Sequence, residues 1–343
     1  MKIAIISRYL PSDEPNGVSI QVHNLAQTLV QKGHDVICYS FSPAVRGMLY
    51  KHVQLKWKWK NRLFRKFEPA FAFKKIDVKS FDIVHYHGDD YLKAGATNRV
   101  RTFYGSAIRE AMHARTCVTF FYQFTFYLLE IVSAFRKGVT VGISRDTVKC
   151  IPLIKKEIPC MIPHNYHRGA RNITTHPTVL FIGAMGTRKR GNLMVEVFKN
   201  EILPQVKNCK LIIVGAQGRS DEHITYKGRI TDKQLREEYS KAWVYCCCSS
   251  YEGFGVPVIE AMANKCPVVA TYNPGADQVI TSGYNGLLCT SGNLGINILT
   301  VLSDSALRSR LSENAFKTVE KYSCKKIVSR YEKVYNDVLK LKA

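Results

Sequence analysis

WVYCCCSSYEGFGVPVIEAMANKCPVVAT, residues 243–271, reads as strand, loop, helix and second strand in under thirty residues. The strand is the apolar run WVYCCCS, the loop SSYEGFG, the helix PVIEAMANK and the returning strand PVVAT. Pro257 suits the first helical turn, where its missing N–H goes unneeded, and Lys265 closes the far end. Gly253 and Gly255 let backbone come close to a ligand, and the amides of the loop and first helical turn favour a phosphate. Glu252 and Glu260 flank GFGVPVI, seven residues without a polar side chain. Acids are seldom left beside a buried apolar run unless something uses them. A carboxylate repels phosphate but accepts hydrogen bonds from the hydroxyls of a sugar or ribose. The two glutamates are too far apart to share one diol. A ligand with hydroxyls at both ends and phosphate between them is a nucleotide sugar.

The same strand–helix alternation runs through the rest of the chain. Apolar runs recur at 2–7, 35–40, 81–87, 100–105 and 139–144 in the first half. In the second half they recur at 178–183, 210–215, 223–228, 243–249, 267–271 and 286–289. Near-continuous apolar strands with helices between them predict parallel sheets covered on both faces, an α/β chain of two doubly wound domains. A length of 343 residues fits two such domains. The series breaks at the polar, proline-bearing stretch between Ile162 and Val179. Boundaries follow at 1–165, a linker at 166–177, a second domain at 178–321 and a terminal helix at 322–343. That helix carries Ile327, Tyr331, Val334, Val338 and Leu341 on one stripe. In facing domains of this kind, ligands bind at the carboxyl ends of the strands.

Charge is the strongest compositional signal. Fifty Lys and Arg against 27 Asp and Glu give +23, which predicts attraction to an anionic partner. Residues 51–79 hold ten Lys or Arg against two acids, with Trp57, Trp59, Phe64 and Phe67 threaded among them. Two readings stand equal: a solvated loop whose aromatics fold back on the core, or a patch for an anionic membrane surface. No helix-turn-helix, zinc knuckle or repeated basic helix supports nucleic acid as the partner. Residues 117–135, CVTFFYQFTFYLLEIVSAF, are long enough to span a bilayer. Gln123, Glu130 and the strands on both sides favour a buried or interface-facing helix instead. Eleven cysteines without a CxxC pair read as reduced, mostly buried thiols of a cytosolic protein. The polar turn after MKIAII reads as the end of a strand rather than a signal peptide. The Asn172-Ile-Thr sequon is then a chance match.

EGFGVPVIEAMANKCPVVAT resembles the glutamate–seven residues–glutamate signature of glycosyltransferase family 4, retaining enzymes of the GT-B fold. The likeness continues in EPNGVSIQVHNLAQTLVQKGHDV (14–36), FDIVHYHGDD (81–90), VLFIGAMGTRKRG (179–191), KLIIVGAQG, ITYKGRITD and GYNGLLC, in the family's order. The resemblance implies a hexosyl transfer from a nucleoside-diphosphate sugar, UDP- or GDP-linked, to a glycan or lipid-linked acceptor. It also implies that Glu252 binds hydroxyls of the transferred sugar and Glu260 those of the ribose. Arg188 and Lys189, with Arg190 if the register slips by one, would neutralise the departing diphosphate in place of a metal, so neither metal nor other cofactor is expected. Gly17 beside Asn16 would bring backbone to the diphosphate. Gly253, Phe254, Gly255 and Val256 would line the donor, and Gly228 with Arg229 would meet the base. The terminal helix would pack back toward the first domain.

Two departures bear on the acceptor side. Tyr104, counted with Glu252, Lys189 and Arg188 as catalytic, stands where the family usually has histidine, and Ala184 where an arginine often follows the glycine. His85, in the set of substrate-binding residues, shares a strand face with His87, and a hydrogen-bonded pair is the expectation over a metal site. Gly88-Asp89-Asp90 is not read as a metal site, and His164 and Asn165 take no role. The implied location is cytoplasmic, peripheral on the inner face of a membrane. Rival readings are transfer to nucleic acid and a silent sugar-nucleotide binder.

Overall fold

The computed structural model describes residues 1–12, 16–61, 64–94, 96–114, 116–151, 153–154, 156–163, 166 and 171–340. Glu14 and Pro15 of the first glycine loop, His164, Asn165, linker residues 167–170 and Leu341 lie outside the described residues. The chain divides into two compact units, Met1–Met161 with Cys324–Ala343, and Ile162–Ser323.

The first unit is built on strands β1 (Lys2–Ile6), β2 (Asp35–Ser40), β3 (Lys51–Gln54), β4 (Ile83–Tyr86), β5 (Arg99–Phe103), β6 (Val139–Gly142) and β7 (Lys156–Glu157). They form one sheet in the order β3-β2-β1-β4-β5-β6-β7, and every pairing is parallel. Strand alternation sends Ile3 and Ile5 to one face and Ala4 and Ile6 to the other. The first face packs against Val22, Leu25 and Leu29 of the helix Gly17–Gln31 and against Ile327, Val328, Tyr331 and Tyr335 of the last helix, Cys324–Lys340. The second face packs against Phe41, Phe73 and Phe81.

The second unit repeats the plan with β8 (Thr178–Ile182), β9 (Lys210–Val214), β10 (Ile224–Tyr226), β11 (Val244–Cys247), β12 (Val268–Thr271) and β13 (Leu287–Cys289). Their order is β10-β9-β8-β11-β12-β13, again all parallel. Both sheets therefore reverse winding direction at one point, β1/β4 in the first and β8/β11 in the second. At such a reversal the flanking loops splay apart and leave a crevice at the strands' carboxyl ends. All eleven cysteines are free; Cys246 and Cys248 share a strand face with sulfurs 3.4 Å apart.

Three features add to or narrow what the sequence suggests. Strands β3 and β7 escaped the reading because both are short and lie on sheet edges, where apolar patterning is weak. Residues 51–79 combine elements of both readings. Lys56, Lys58 and Lys60 are exposed and alternate with half-buried Trp57 and Trp59, and Trp57 stacks on Phe41 at 4.0 Å between ring centres. Buried Glu68 pins this segment by accepting from the backbone amides of Lys58 and Trp59. The helix Cys117–Ala134, expected to be buried or interface-facing, buries only Ser133 and Ala134, which overturns the buried alternative alone. By length and composition it could cross a membrane. It belongs instead to the connection between β5 and β6, adjacent parallel strands, so both of its ends return to one sheet.

Candidate active site

Two loops meet at the β8/β11 reversal. The first leaves β8 at Gly183 and ends at Arg190, from which the helix Gly191–Val197 starts. The second leaves β11 and runs through Glu252 to Gly255, which starts the helix Val256–Ala263 from a left-handed φ of 85°. No side chain caps that second helix, so its opening amides keep the polarity that suits an anion.

Glu252 is 6% exposed and lies among cations. Lys189 Nζ is 2.5 Å from its Oε1, Arg188 Nη1 is 3.2 Å from its Oε2, and Ser249 Oγ donates to Oε1 at 2.5 Å. Burial pushes this carboxyl up, but Lys189 and Arg188 outweigh burial and hold it below the usual glutamate range. Arg188 Nη1 also donates to the carbonyl of Tyr251 at 2.6 Å, and Ser250 N to the carbonyl of Arg188 at 2.9 Å, which ties the two loops together. A fixed anion flanked by two cations in one crevice can hold hydroxyls and neutralise phosphate side by side.

Glu260 has the opposite environment. It is 8% exposed, with Tyr239 Oη 3.3 Å from Oε2. Burial, reinforced by Asp232, raises its carboxyl to about 8, against weaker lowering by Tyr239 and Lys189. One signature thus holds an ionised glutamate and a protonated one near neutral pH.

Other predicted positions are spent on structure. Arg190 turns its guanidinium onto the carbonyl of Cys248, Ser291 Oγ at 2.8 Å and Thr271 Oγ1 at 2.7 Å. It laces together the ends of β8, β11 and β12. Phe254 is buried edge-on against Tyr322, so only its backbone faces the loop. Gly253 and Val256 are half-buried on either side of buried Gly255. Gly228, with φ of 59°, exchanges backbone bonds with Gly215 and Ala216 at the ends of β9 and β10, and Arg229 beside it is exposed.

In the first unit, Asn16 caps the helix Gly17–Gln31 in a reciprocal box with Ser19. A Cβ at Gly17 would meet nothing within 4 Å, so the helix start is open. His85 is fully buried, with both ring nitrogens occupied by Tyr335 Oη at 2.7 Å and Thr102 Oγ1 at 2.8 Å. Assigned above to substrate binding, it instead fastens the last helix to the sheet, because no ring atom is left for a ligand. Burial, then Arg101, lowers it to about 3, so it is neutral. Tyr104 Oη bonds His87 Nδ1 at 2.9 Å, and burial raises the phenol well above its ordinary value. Asp89 pairs with Arg8 at 2.6 Å, and Asp90 with Arg99 at 2.5 Å and Arg101 at 3.2 Å. Among the described residues no three His, Cys, Asp or Glu cluster as a metal site.

Several residues that shape the site gave no signal in sequence. A Cβ on Gly183 would lie 2.7 Å from Lys189 Cβ, so this glycine leaves room for the lysine stem. A Cβ on Gly275 would lie 2.7 Å from the Glu252 carbonyl and 2.8 Å from Glu252 Cβ. Asn273 caps the helix Pro274–Val279 through Ala276 N and donates to the carbonyl of Ser249. The approaches of Gly275 to Glu252 and of Asn273 to Ser249 join residues more than twenty apart, beyond the reach of spacing.

Residues 165–318 match the family described as glycosyl transferases group 1. The chain is 31% identical to poly(glycerol-phosphate) alpha-glucosyltransferase of Bacillus subtilis over 41% of its own length, a match that spans only 23% of that relative. It is 24% identical to phosphatidyl-myo-inositol mannosyltransferase of Mycolicibacterium smegmatis over 98% of this chain and 94% of the relative. Among solved structures it is similar to sucrose-phosphate synthase from Thermosynechococcus elongatus (TM-score 0.80, 18% identity, 99% of each chain). It is likewise similar to Anabaena HepE in complex with UDP-glucose (TM-score 0.73, 14% identity, 98% of this chain and 100% of that one). At such identity the likeness is one of fold, the two-domain α/β GT-B architecture.

Proposed function

We propose that this chain, which matches the group 1 glycosyl transferases over residues 165–318, moves a hexosyl group from a UDP- or GDP-linked sugar to a glycan or lipid-linked acceptor, with retention of configuration and without a metal. The observation that carries this reading is the contact of Lys189 and Arg188 with Glu252 at the β8/β11 reversal. Support for the donor class comes from the shared fold with a protein whose structure holds UDP-glucose.

In the proposed reaction the bond from sugar C1 to the donor phosphate oxygen breaks, and its electron pair leaves with the diphosphate. Lys189 and Arg188 meet that growing charge, preplaced so that little reorganisation is needed. They take the part a divalent ion would play. Glu252 accepts from sugar hydroxyls and fixes the ring; Glu260 accepts from the ribose. The acceptor oxygen joins C1 from the face the phosphate leaves, and its proton passes to the departing phosphate. Gly17 contributes backbone to the diphosphate.

The lipid-linked acceptor fits the exposed lysines of residues 51–79, which favour an anionic membrane surface on the cytoplasmic side. The mannosyltransferase relative is named for a lipid substrate. Thermal shift over UDP-, GDP-, ADP- and dTDP-sugars, followed by transfer assays with and without EDTA, tests the proposal. Stabilisation by one donor, with EDTA-resistant turnover lost in Glu252→Ala, is the expected result. Full turnover in Glu252→Ala would sink it.

A further inference from the structure

The helix Cys117–Ala134 presents a stripe of large apolar side chains to solvent. Val118 is 81% exposed, Phe121 67%, Leu128 50%, Val132 43% and Phe135, just beyond the helix, 73%. Their spacing of three, four and seven residues keeps them on one side. The opposite side, with Tyr122, Phe126, Leu129 and Glu130, lines a cavity of about 270 Å³ shared with Arg8, Asp89 and Arg101. Glu130 is the helix's only acid and is turned inward, accepting from Ala107 N at 2.9 Å. The outward side therefore carries no negative charge.

The basic segment adjoins this helix through its inner side. Phe67 stacks on Phe126, with ring centres 5.2 Å apart and planes 14° apart. Lys66 Nζ sits 4.0 Å over the ring of Tyr122. The basic segment and the apolar helix are thus one surface of the first unit, and Arg136-Lys137 follow at the helix's far end. A second copy of this chain would set these cations against each other. Nucleic acid would satisfy the charge but leave the apolar stripe in water. An anionic bilayer surface satisfies both, with acyl chains for the stripe and headgroups for the rim.

We infer that the helix Cys117–Ala134 lies in the plane of an anionic membrane surface, inserting Val118, Phe121 and Leu128 while the flanking lysines and arginines meet headgroups. This rests on the lipid-linked acceptor proposed above and identifies the inserting element, which the basic segment alone does not. It lies along the membrane rather than through it, since β5 and β6 recover both ends into one sheet.

The test is flotation of the full chain with vesicles of phosphatidylcholine, and of phosphatidylcholine mixed with phosphatidylglycerol. Wild type is expected to float with the mixed vesicles. The triple variant Val118→Ser, Phe121→Ser, Leu128→Gln should keep its thermal midpoint, because these side chains are exposed, and lose at least about tenfold in partitioning, the scale of apolar transfer for such groups. The triple Lys56→Glu, Lys58→Glu, Lys60→Glu should lose the salt-sensitive part. Loss in the charge variant with unchanged binding in the apolar one overturns the helix inference and leaves the basic-surface reading standing. Absence of any wild-type flotation overturns both. A wild-type dimer in size-exclusion chromatography that the apolar variant converts to monomer assigns the stripe to a second copy, and also overturns the inference.

Discussion

Lys189 Nζ and Glu252 Oε1 lie 2.5 Å apart, joining the loop after β8 to the loop after β11. The proposed phosphate cation and the proposed sugar carboxylate therefore neutralise each other before any donor arrives. A donor must insert into, or share, this pair. That requirement separates the effects of the two residues.

Removing the carboxylate frees both cations. Glu252→Gln is expected to cut transfer by about 10²–10³, the usual cost of losing one preorganised polar group. Affinity for the free nucleoside diphosphate should hold or rise, because Lys189 and Arg188 no longer face an internal anion. Isothermal titration with UDP and GDP beside a transfer assay reads both; parallel loss of nucleotide affinity would contradict this division of roles.

Removing the cation has a structural cost as well. Lys189→Ala leaves the buried carboxylate with Arg188 and Ser249 alone. Unfolding stability should fall by about 1–3 kcal/mol, and nucleoside-diphosphate affinity should fall with it. Denaturant titration and calorimetry separate the two.

Arg190 predicts the reverse weighting from Arg188. Its donors are committed to Cys248, Thr271 and Ser291. Arg190→Ala should destabilise by about 1–3 kcal/mol with donor KM little changed at temperatures where it stays folded. Arg188→Ala should raise donor KM more than it lowers stability.

Glycine spacing offers a further test. Gly275→Ala forces a Cβ to within 2.7 Å of the Glu252 carbonyl, backbone that cannot swing aside. Overpacking of this kind costs about 1–3 kcal/mol. Donor turnover should drop through displacement of Glu252, although position 275 has no assigned role in donor binding. Unchanged kinetics would mean that the Glu252 loop relaxes without consequence.

Glu260 gives a pH dependence. Its folded value of about 8 lies above the ordinary glutamate value of 4.5, so between these the folded chain keeps a proton that the unfolded chain has lost. By linkage, this group makes stability fall as pH rises through that window. Glu260→Gln removes the effect, so the variant's thermal midpoint relative to wild type should climb between about pH 4.5 and about pH 8 and then level off. If ribose hydroxyls donate to this carboxyl, donor binding favours its ionised form and releases a proton near pH 7. Calorimetry in buffers of different ionisation enthalpy detects that release.

Much of this was legible in the residues alone. Apolar runs such as KIAII, TVLFI and KLIIV are local statements about burial on two faces, and their alternation with helices dictates two parallel sheets. The pair Glu252 and Glu260 was legible for the same reason: charge beside GFGVPVI is a local anomaly. The exposed helix Cys117–Ala134 was not, because an apolar composition reads alike for a helix inside a core and one presenting a surface. Arg188, Lys189 and Arg190 are consecutive cations in sequence, and only their different partners set them apart.

What the sequence determined by itself was the alternation, the winding and the presence of two acids at the head of one helix, all set by interactions a few residues long. Tertiary structure decided their states. Lys189, some sixty residues from Glu252 in sequence, keeps that acid ionised, whereas Glu260, walled by Tyr239 and apolar neighbours, retains its proton. Protonation depends on which charges and how much water surround a group in space, and chain folding alone fixes both.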